Sequence, residues 1–427
     1  MHRGNAASAA HADNVAPWSI KALGSKLKAQ YRSQGLEIEL HQHYTSKIYT
    51  SGSKIAGDLI IKPKRNVKFD KIRICLSGDA VVLHEDINAA SLVSHNFLDL
   101  QMPVSPSSLP SLGILEMGQQ YTVPFDFILP HRLPSALPPQ SGKSESLIGH
   151  HSHLPPSMGM WERDDMAPHM TKVQYEIRAS VIHNTTSGSM SEAVMEAHKT
   201  IMVIPSSQED PPLTVGKLDV LYALTNTLPV RRSRFSKRLG TLNATATNAT
   251  TIFLGVDGRT SGSSSIQVGL VYDPSDPESR PPPIGHVSAK VVSHTWSSAK
   301  SAKELPNLGS SGTPFLFRVS VEANSAHSGT WMEHGSLPED EVDGEAASVP
   351  FYSTSLEVSF ELPTSSRTFI PTFHSPRISR AYCVHLNIHV GGQSLELRAP
   401  LQIVMRGGSG QMECDEVLPS FEEACQA

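Results

Sequence analysis

The stretch that decides the fold is Val173–Val181, which reads VQYEIRASV. Apolar side chains occupy every second position, and Gln174, Glu176 and Arg178 stand among the residues between them. Because a β-strand points successive side chains to opposite faces, this period of two predicts a strand with one buried and one exposed face. Such strands are typical of antiparallel sheets that cover a core on one side only.

The same alternation recurs on both sides of this stretch. The patterned segments are LEIEL at residues 36–40, KIRICL at 71–76, CVHLNIHV at 383–390 and SLELRAPLQIV at 394–404. The last two flank Gly391, Gly392 and Gln393, and alternating runs around a Gly-Gly turn predict a β-hairpin. Between Phe69 and Ile72 the alternation changes phase, which we interpret as a β-bulge.

The composition also favours strands and turns over helices. The chain has 31 Pro and 29 Gly among its 427 residues, and both residue types interrupt regular structure. Only residues 19–33, SIKALGSKLKAQYRS, have a pattern that allows a short helix. Many alternating strands without intervening helices predict β-sandwiches.

A break in the pattern at residues 201–215, IMVIPSSQEDPPLTV, predicts a domain boundary. We expect a strand to end at Ile204, a linker of prolines and acidic residues to follow, and a new strand to open at Leu213. The expected regions are an N-terminal extension at 1–34, an N-terminal domain at 35–206, a C-terminal domain at 207–405 and a short acidic tail at 406–427.

Charge and hydropathy exclude several classes of protein. The net charge of −5 gives no general indication of nucleic-acid binding. No apolar run reaches the roughly 18 to 20 residues of a membrane-spanning helix, and the N-terminus lacks the apolar segment of a secretory signal peptide. The four cysteines form no Cys-x-x-Cys pair, so a zinc site built on such pairs is not expected.

The segment YTSGSKIAG resembles a turn of the arrestin N-terminal domain. The family pattern is Tyr-x-Pro-Gly-x-x-Val-x-Gly, which Tyr49, Gly52, Ile55 and Gly57 match, while Ser51 replaces the Pro. Gly52 is expected to allow a tight turn, and Gly57 to permit a close backbone contact within a strand. Both glycines are interpreted as part of the scaffold.

Four further motifs resemble the same family, in the same order along the chain. They are the strand at 72–80, FDFILP at 125–130, LPPSMG at 154–159 and VQYEIRASV at 173–181. The resemblance covers about residues 35–205, and residues 375–404 resemble the end of an arrestin C-terminal domain less closely. It implies an all-β fold of two tandem arrestin-like, immunoglobulin-like antiparallel β-sandwiches with a short linker.

The resemblance also implies a function, because the family includes the α-arrestins, or arrestin-related trafficking adaptors, of fungi and animals. We expect a non-enzymatic intracellular adaptor of the fungal type. It would bind cytosolic tails of membrane transporters or receptors and link them to ubiquitin-dependent endocytosis and sorting. The expected location is the cytoplasm, with peripheral association to the plasma membrane or endosomes. The alternative is a coat-like structural subunit of an endosomal sorting complex that recruits no ubiquitin ligase.

Two features depart from the α-arrestin pattern. Many α-arrestins bind HECT-type ubiquitin ligases through Pro-Pro-x-Tyr motifs, whereas the Pro-Pro pairs here read PPQS, PPSM, PPLT and PPPI. A HECT-type ligase is therefore expected only as an indirect partner. The second departure is a long loop at 131–171, and loops of that length are functional or disordered.

A histidine-rich stretch in this loop is the candidate for metal chemistry. It contains His150, His151 and His153, with Asp164 and Asp165 downstream, and clustered imidazoles can bind a transition metal. We interpret the loop as mobile and therefore unable to hold a catalytic geometry. No nucleophile elbow, P-loop, His-Glu-x-x-His or dinucleotide glycine motif occurs. We therefore expect neither an enzyme, nor a cofactor, nor a bound metal.

Two basic clusters are candidate contacts for an anionic partner. The first follows an early strand and extends to Lys71 and Arg73; its proposed contacts are Lys62, Lys64, Arg65 and Lys68. The second consists of Arg231, Arg232, Arg234, Lys237 and Arg238. Either could bind a phosphorylated tail or an anionic membrane surface. Phosphorylation of Ser233 or Ser236 would oppose that binding. The alternative interpretation of the second cluster is a solvated basic loop.

Overall fold

The structure is a computed structural model of the chain. It describes residues 35–86, 89–105, 109–134, 145–184, 191–207, 221–231, 236–255, 259, 261–306, 313–327, 331–335 and 350–405. We call residues 35–207 the N-terminal half and residues 221–405 the C-terminal half. None of the described helices is long and apolar enough to span a membrane.

The N-terminal half contains a three-stranded sheet of order β1-β3-β8 and a five-stranded sheet of order β2-β10-β9-β5-β6. A short ladder joins β4 to β7, and β2 runs parallel to β10 while the other strand pairs are antiparallel. The bounds are β1 Leu36–Leu40, β2 Ile48–Tyr49, β3 Lys54–Ile61, β4 Val67–Lys68, β5 Lys71–Asp86, β6 Ala89–Met102, β7 Ile114–Leu115, β8 Tyr121–Ile128, β9 Lys172–Asn184 and β10 Ser191–Val203, with the helix α1 Glu145–His151 between β8 and β9.

The C-terminal half contains a sheet of order β11-β12-β14-β19-β17, to which β18 adds, and a sheet of order β16-β15-β21-β20, to which β22 adds. The short strands β13 and β23 form a parallel pair. The bounds are β11 Thr225–Arg231, β12 Arg238–Ala246, β13 Ile252–Leu254, β14 Ser263–Pro274, β15 Ile284–Ser297, β16 Phe315–Val321, β17 Ala323–His327, β18 Met332–His334, β19 Phe351–Glu361, β20 Phe373–His374, β21 Ile378–Val390, β22 Gln393–Leu401 and β23 Ile403–Met405.

The alternating segments form strands with one buried face, as predicted. In β9 the apolar residues at positions 173, 175, 177, 179 and 181 are all buried. Strands β5, β9 and β21 contribute apolar side chains to two separate cores, one in each half. The all-β sandwich class predicted from the sequence is confirmed.

Two glycine positions agree with the predicted scaffold roles. Gly52 has a φ of +81° in the turn between β2 and β3, a conformation that other residues rarely adopt. Gly57 lies in β3, where a Cβ atom would come within 2.2 Å of the Glu39 carbonyl oxygen and 2.8 Å of Phe125. The predicted hairpin also forms, with Gly391 and Gly392 both at positive φ between β21 and β22.

Two details of the sequence prediction are wrong. The phase change after Phe69 is not a bulge, because the chain there leaves the β4–β7 ladder and enters another sheet as β5. The loop at 131–171, read as mobile, contains the helix α1 and several backbone hydrogen bonds among its described residues, 131–134 and 145–171. In addition, the sequence prediction places no strand between β15 and β19, where the structure has β16, β17 and β18.

Several expectations fall outside the described residues. These are the helix at 19–33, the strand opening at Leu213 and the acidic tail at 406–427. Strand β10 ends at Val203, one residue before the predicted end. Because residues 208–220 are not described, the boundary at 206 stays a prediction.

Candidate functional site

The first basic cluster lies on the loop between β3 and β4 and at the end of β4. Lys62, Lys64, Arg65 and Lys68 are all exposed. Three of the four predicted contacts therefore lie on one short loop, and Lys68 lies in the strand that follows it. Within the described residues, no carboxylate lies within ion-pair distance of Lys62, Arg65 or Lys68. Their positive charges are available to a partner.

This loop is held in place by the turn before β8. The backbone N–H of Met117 donates to Asn66 Oδ1 at 2.8 Å, and that of Gly118 donates to the Pro63 carbonyl at 3.1 Å. The Lys62 N–H donates to the Gly35 carbonyl at 2.7 Å. A loop with these backbone contacts loses little conformational freedom when it binds a partner.

Lys71 and Arg73, to which this cluster extends, differ in whether a carboxylate pairs with them. Lys71 is exposed at the start of β5. Arg73 donates from Nη2 to Asp99 Oδ2 at 2.6 Å, so a neighbouring carboxylate offsets its charge. Arg73 is therefore a weaker candidate contact than the lysines of the loop.

The second basic cluster lies at the hairpin between β11 and β12, and its described members have local partners. Arg231 Nη1 donates to the Ser236 carbonyl at 3.4 Å, and Arg238 Nε donates to the Gly240 carbonyl at 3.2 Å. Lys237 Nζ lies 3.7 Å from Asp276 Oδ2. Arg232, Ser233 and Arg234 lie outside the described residues, and Ser236 is half-buried. No described contact joins this cluster to the first one.

The histidines of the loop lie against the C-terminal half. The His150 ring contacts the His374 ring edge-on, with the centroids 5.3 Å apart. Burial, followed by the nearby His150 and His151, lowers the pKa of His374 to about 3. Within the described residues, no group of three His, Cys, Asp or Glu side chains is arranged to hold a metal ion. The contact of His150 with His374 on β20 joins the two halves.

A polar joint between the two halves was not predicted from the sequence. Arg380 on β21 is completely buried, and it donates from Nη1 to the Asp165 carbonyl at 2.5 Å and from Nη2 to the Met166 carbonyl at 2.9 Å. Its Nε donates to Thr295 Oγ1 at 3.0 Å. Asp164 pairs with Arg367 of the C-terminal half.

The carboxylate of Asp165 is buried at the same joint. Burial raises its pKa, while the charge of Arg380 and the N–H groups of Gly159 and Ala167 act in the opposite direction. Those N–H groups lie 2.6 Å and 3.2 Å from the carboxylate oxygens. The two aspartates considered as metal ligands instead join the halves.

The apolar cores also meet at this joint. Met166 and Ile204 belong to the core of the C-terminal half, although both come from the N-terminal half of the chain. Ile370 and Ile378 belong to the core of the N-terminal half in the same way. The halves are therefore packed against each other as well as linked covalently.

The N-terminal half is similar to a known protein family. Residues 36–208 match the family model of the arrestin (or S-antigen) N-terminal domain. No curated protein matches the chain significantly. The match covers the motifs that suggested the resemblance and contains the loop with the first basic cluster.

Proposed function

We propose that this arrestin-like chain is a non-enzymatic adaptor that binds cytosolic segments of membrane proteins. The observation that supports the proposal is the position of the first basic cluster. It lies on a backbone-fixed loop of the half that matches the arrestin N-terminal domain. Lysine and arginine side chains on such a loop attract acidic and phosphorylated segments and form charge-assisted hydrogen bonds with them.

The biological setting is part of the same proposal. The chain would be a fungal-type α-arrestin that selects transporter or receptor tails for ubiquitin-dependent endocytosis and sorting. It would work in the cytoplasm and associate peripherally with the plasma membrane or endosomes. Its link to a HECT-type ligase would be indirect, because no Pro-Pro-x-Tyr motif occurs in the sequence.

The missing motif is also the observation that favours a second candidate function. A coat-like subunit of an endosomal sorting complex would use the same two-sandwich architecture without recruiting a ligase. The two candidates differ in their neighbours, which are a ubiquitin ligase in one case and coat subunits in the other. Fold alone does not separate them.

Charge reversal of the basic cluster tests the binding step. We expect Lys62→Glu, Lys64→Glu and Lys68→Glu together to weaken binding of an acidic phosphopeptide at least tenfold, or by about 1.4 kcal/mol. Each reversal replaces an attraction by a repulsion at an exposed site, where a single charge contributes less than about 1 kcal/mol. Fluorescence anisotropy at physiological salt measures the dissociation constant, and acidic liposomes provide a second binding assay.

A matched variant separates this effect from a general change of charge. Lys172→Glu, Lys290→Glu and Lys300→Glu alter three exposed lysines elsewhere by the same total charge. We expect this control to bind the phosphopeptide nearly as tightly as the unchanged protein. If the charge-reversed basic cluster bound the phosphopeptide as tightly as the unchanged protein does, the cluster would not be the binding site.

A further inference from the structure

A cavity of about 460 Å³ lies where loops of the two halves meet. The N-terminal half contributes the β1–β2 loop, residues 160–163 and the edge of β10. The C-terminal half contributes residue 259 and the loop that follows β19. The volume is within the range of about 300 to 1,000 Å³ that small-molecule sites occupy.

Positively charged side chains outnumber negatively charged ones in the cavity wall. One carboxylate, Glu162, lines it together with five hydroxyl groups of Ser and Thr side chains. The five cationic side chains in the wall are Lys47, Arg163, Lys199, Arg259 and Arg367. A concave site with several cations concentrates the field and favours anions.

Two of these cations donate to backbone carbonyl oxygens, which carry no net charge. Arg163 Nη1 donates to the Thr364 carbonyl at 3.1 Å, and Lys47 Nζ donates to the Gln42 carbonyl at 2.8 Å. Such contacts position a cation without neutralising it. Arg367 differs, because it pairs with Asp164.

Lys199 is the lysine of the wall whose ammonium group is most open to a ligand. The residue pairs with β9 through its backbone, its side chain is exposed, and its Nζ makes no hydrogen bond or ion pair with any residue that the structure describes. Its Nζ is therefore able to turn toward a bound anion. Because β10 belongs to the N-terminal half, while Thr364 and Thr368 of the cavity wall belong to the C-terminal half, an anion between them would connect both halves.

The behaviour of His43 is consistent with a positive potential in the cavity. Its ring nitrogen Nδ1 lies 3.3 Å from the Tyr49 hydroxyl oxygen, so the imidazole is held at the cavity wall. Burial lowers the pKa of His43 most, and the charges of Lys199 and Lys47 lower it further. The positive charges of Lys199 and Lys47 therefore both act on the imidazole of His43.

We propose that this cavity binds a compact anion carrying two or more phosphate groups, which bridges the two halves. Phosphate oxygens accept hydrogen bonds from guanidinium, ammonium and hydroxyl groups, all of which line the cavity. The anion is either a free polyphosphate or the headgroup of a phosphorylated lipid. The site is separate from the basic cluster at Lys62–Lys68. The anion-binding proposal and the peptide-binding proposal above can therefore be tested independently of each other.

Calorimetric titration of the full chain with inorganic tripolyphosphate at physiological salt tests the site. We expect Lys199→Gln to weaken binding about fivefold, since one charge-assisted contact at a partly exposed site is lost. Lys47→Gln combined with Lys199→Gln should weaken it further. The control Lys290→Gln changes an exposed lysine that does not line the cavity, and it should bind as the unchanged protein does.

Flotation with phosphatidylcholine vesicles containing a phosphorylated inositol lipid separates the two sources of phosphate. Flotation that depends on Lys199 and is inhibited by tripolyphosphate would assign the site to a lipid headgroup. Calorimetric binding that depends on Lys199, without flotation, would assign it to a free anion. The proposal is wrong if tripolyphosphate does not bind, or if it binds the double variant as tightly as the unchanged protein.

Discussion

Arg380 shows how a single buried charge can join two halves of a chain. Its guanidinium is removed from water and donates to two carbonyl oxygens of the opposite half and to Thr295. A buried charge is tolerated only where such partners replace the lost hydration. The nearby Asp165 carboxylate, which is also buried, depends on the same cation.

We expect Arg380→Gln to lower the free energy of unfolding by about 3 kcal/mol, because it leaves two buried carbonyls without their donor and removes the positive charge that lowers the pKa of the buried Asp165 carboxyl. Urea unfolding followed by both circular dichroism and tryptophan fluorescence measures the change. The control is Arg318→Gln, at an exposed arginine on β16. Equal unfolding midpoints for the two variants would show that Arg380 does not stabilise the joint.

The sequence could not have revealed this joint directly. The Arg380 side chain and the Asp165 carbonyl lie 215 positions apart, and only the folded arrangement brings them together. The available indication was an arginine in the mainly apolar run of β21. The basic cluster at Lys62–Lys68 was found because its members are close in sequence and their residue type alone indicates the chemistry.

Strands with strict alternation were predictable, whereas strands with weak alternation were not. Strand β9 buries every second side chain, and β21 does so from Val384 onward, so their pattern is visible in the sequence. Strand β16 lies at the edge of its sheet and leaves much of both faces exposed, which weakens the pattern. The helix α1 has seven residues, too few to show a helical period, and it packs against β20.

Gly57 is a position where the packing of β3 can be tested. We expect Gly57→Ala to lower the free energy of unfolding by about 2 kcal/mol, since the added Cβ atom would overlap the Glu39 carbonyl and Phe125. The same urea unfolding experiment measures it.

Gly269→Ala is the matched control for that experiment. Gly269 lies in β14, and the nearest atom to an added Cβ is 3.9 Å away, so the change should have little effect. If Gly57→Ala proved as harmless as Gly269→Ala, the close approach of β1 and β8 to Gly57 would be contradicted.

The two halves pack against each other, and the core of each half contains side chains from the other half. The Arg367–Asp164 ion pair, the buried carbonyl contacts of Arg380 and the cation-lined cavity all lie along this joint. A ligand that binds across it would change how firmly the halves are held together. The proposed cargo binding at the basic cluster and the proposed anion binding at the joint would therefore involve different surfaces of the same chain.

Proximity labelling of the tagged chain in its own cells, followed by mass spectrometry, tests the adaptor proposal most directly. The chain with Lys62, Lys64 and Lys68 reversed to Glu is labelled in parallel. We expect membrane transporters or receptors among the neighbours, together with a ubiquitin ligase, and a loss of the membrane proteins from the reversed variant. Endosomal coat subunits without a ligase would support the coat-like function instead. Neighbours that include neither membrane proteins nor sorting machinery would contradict the proposal.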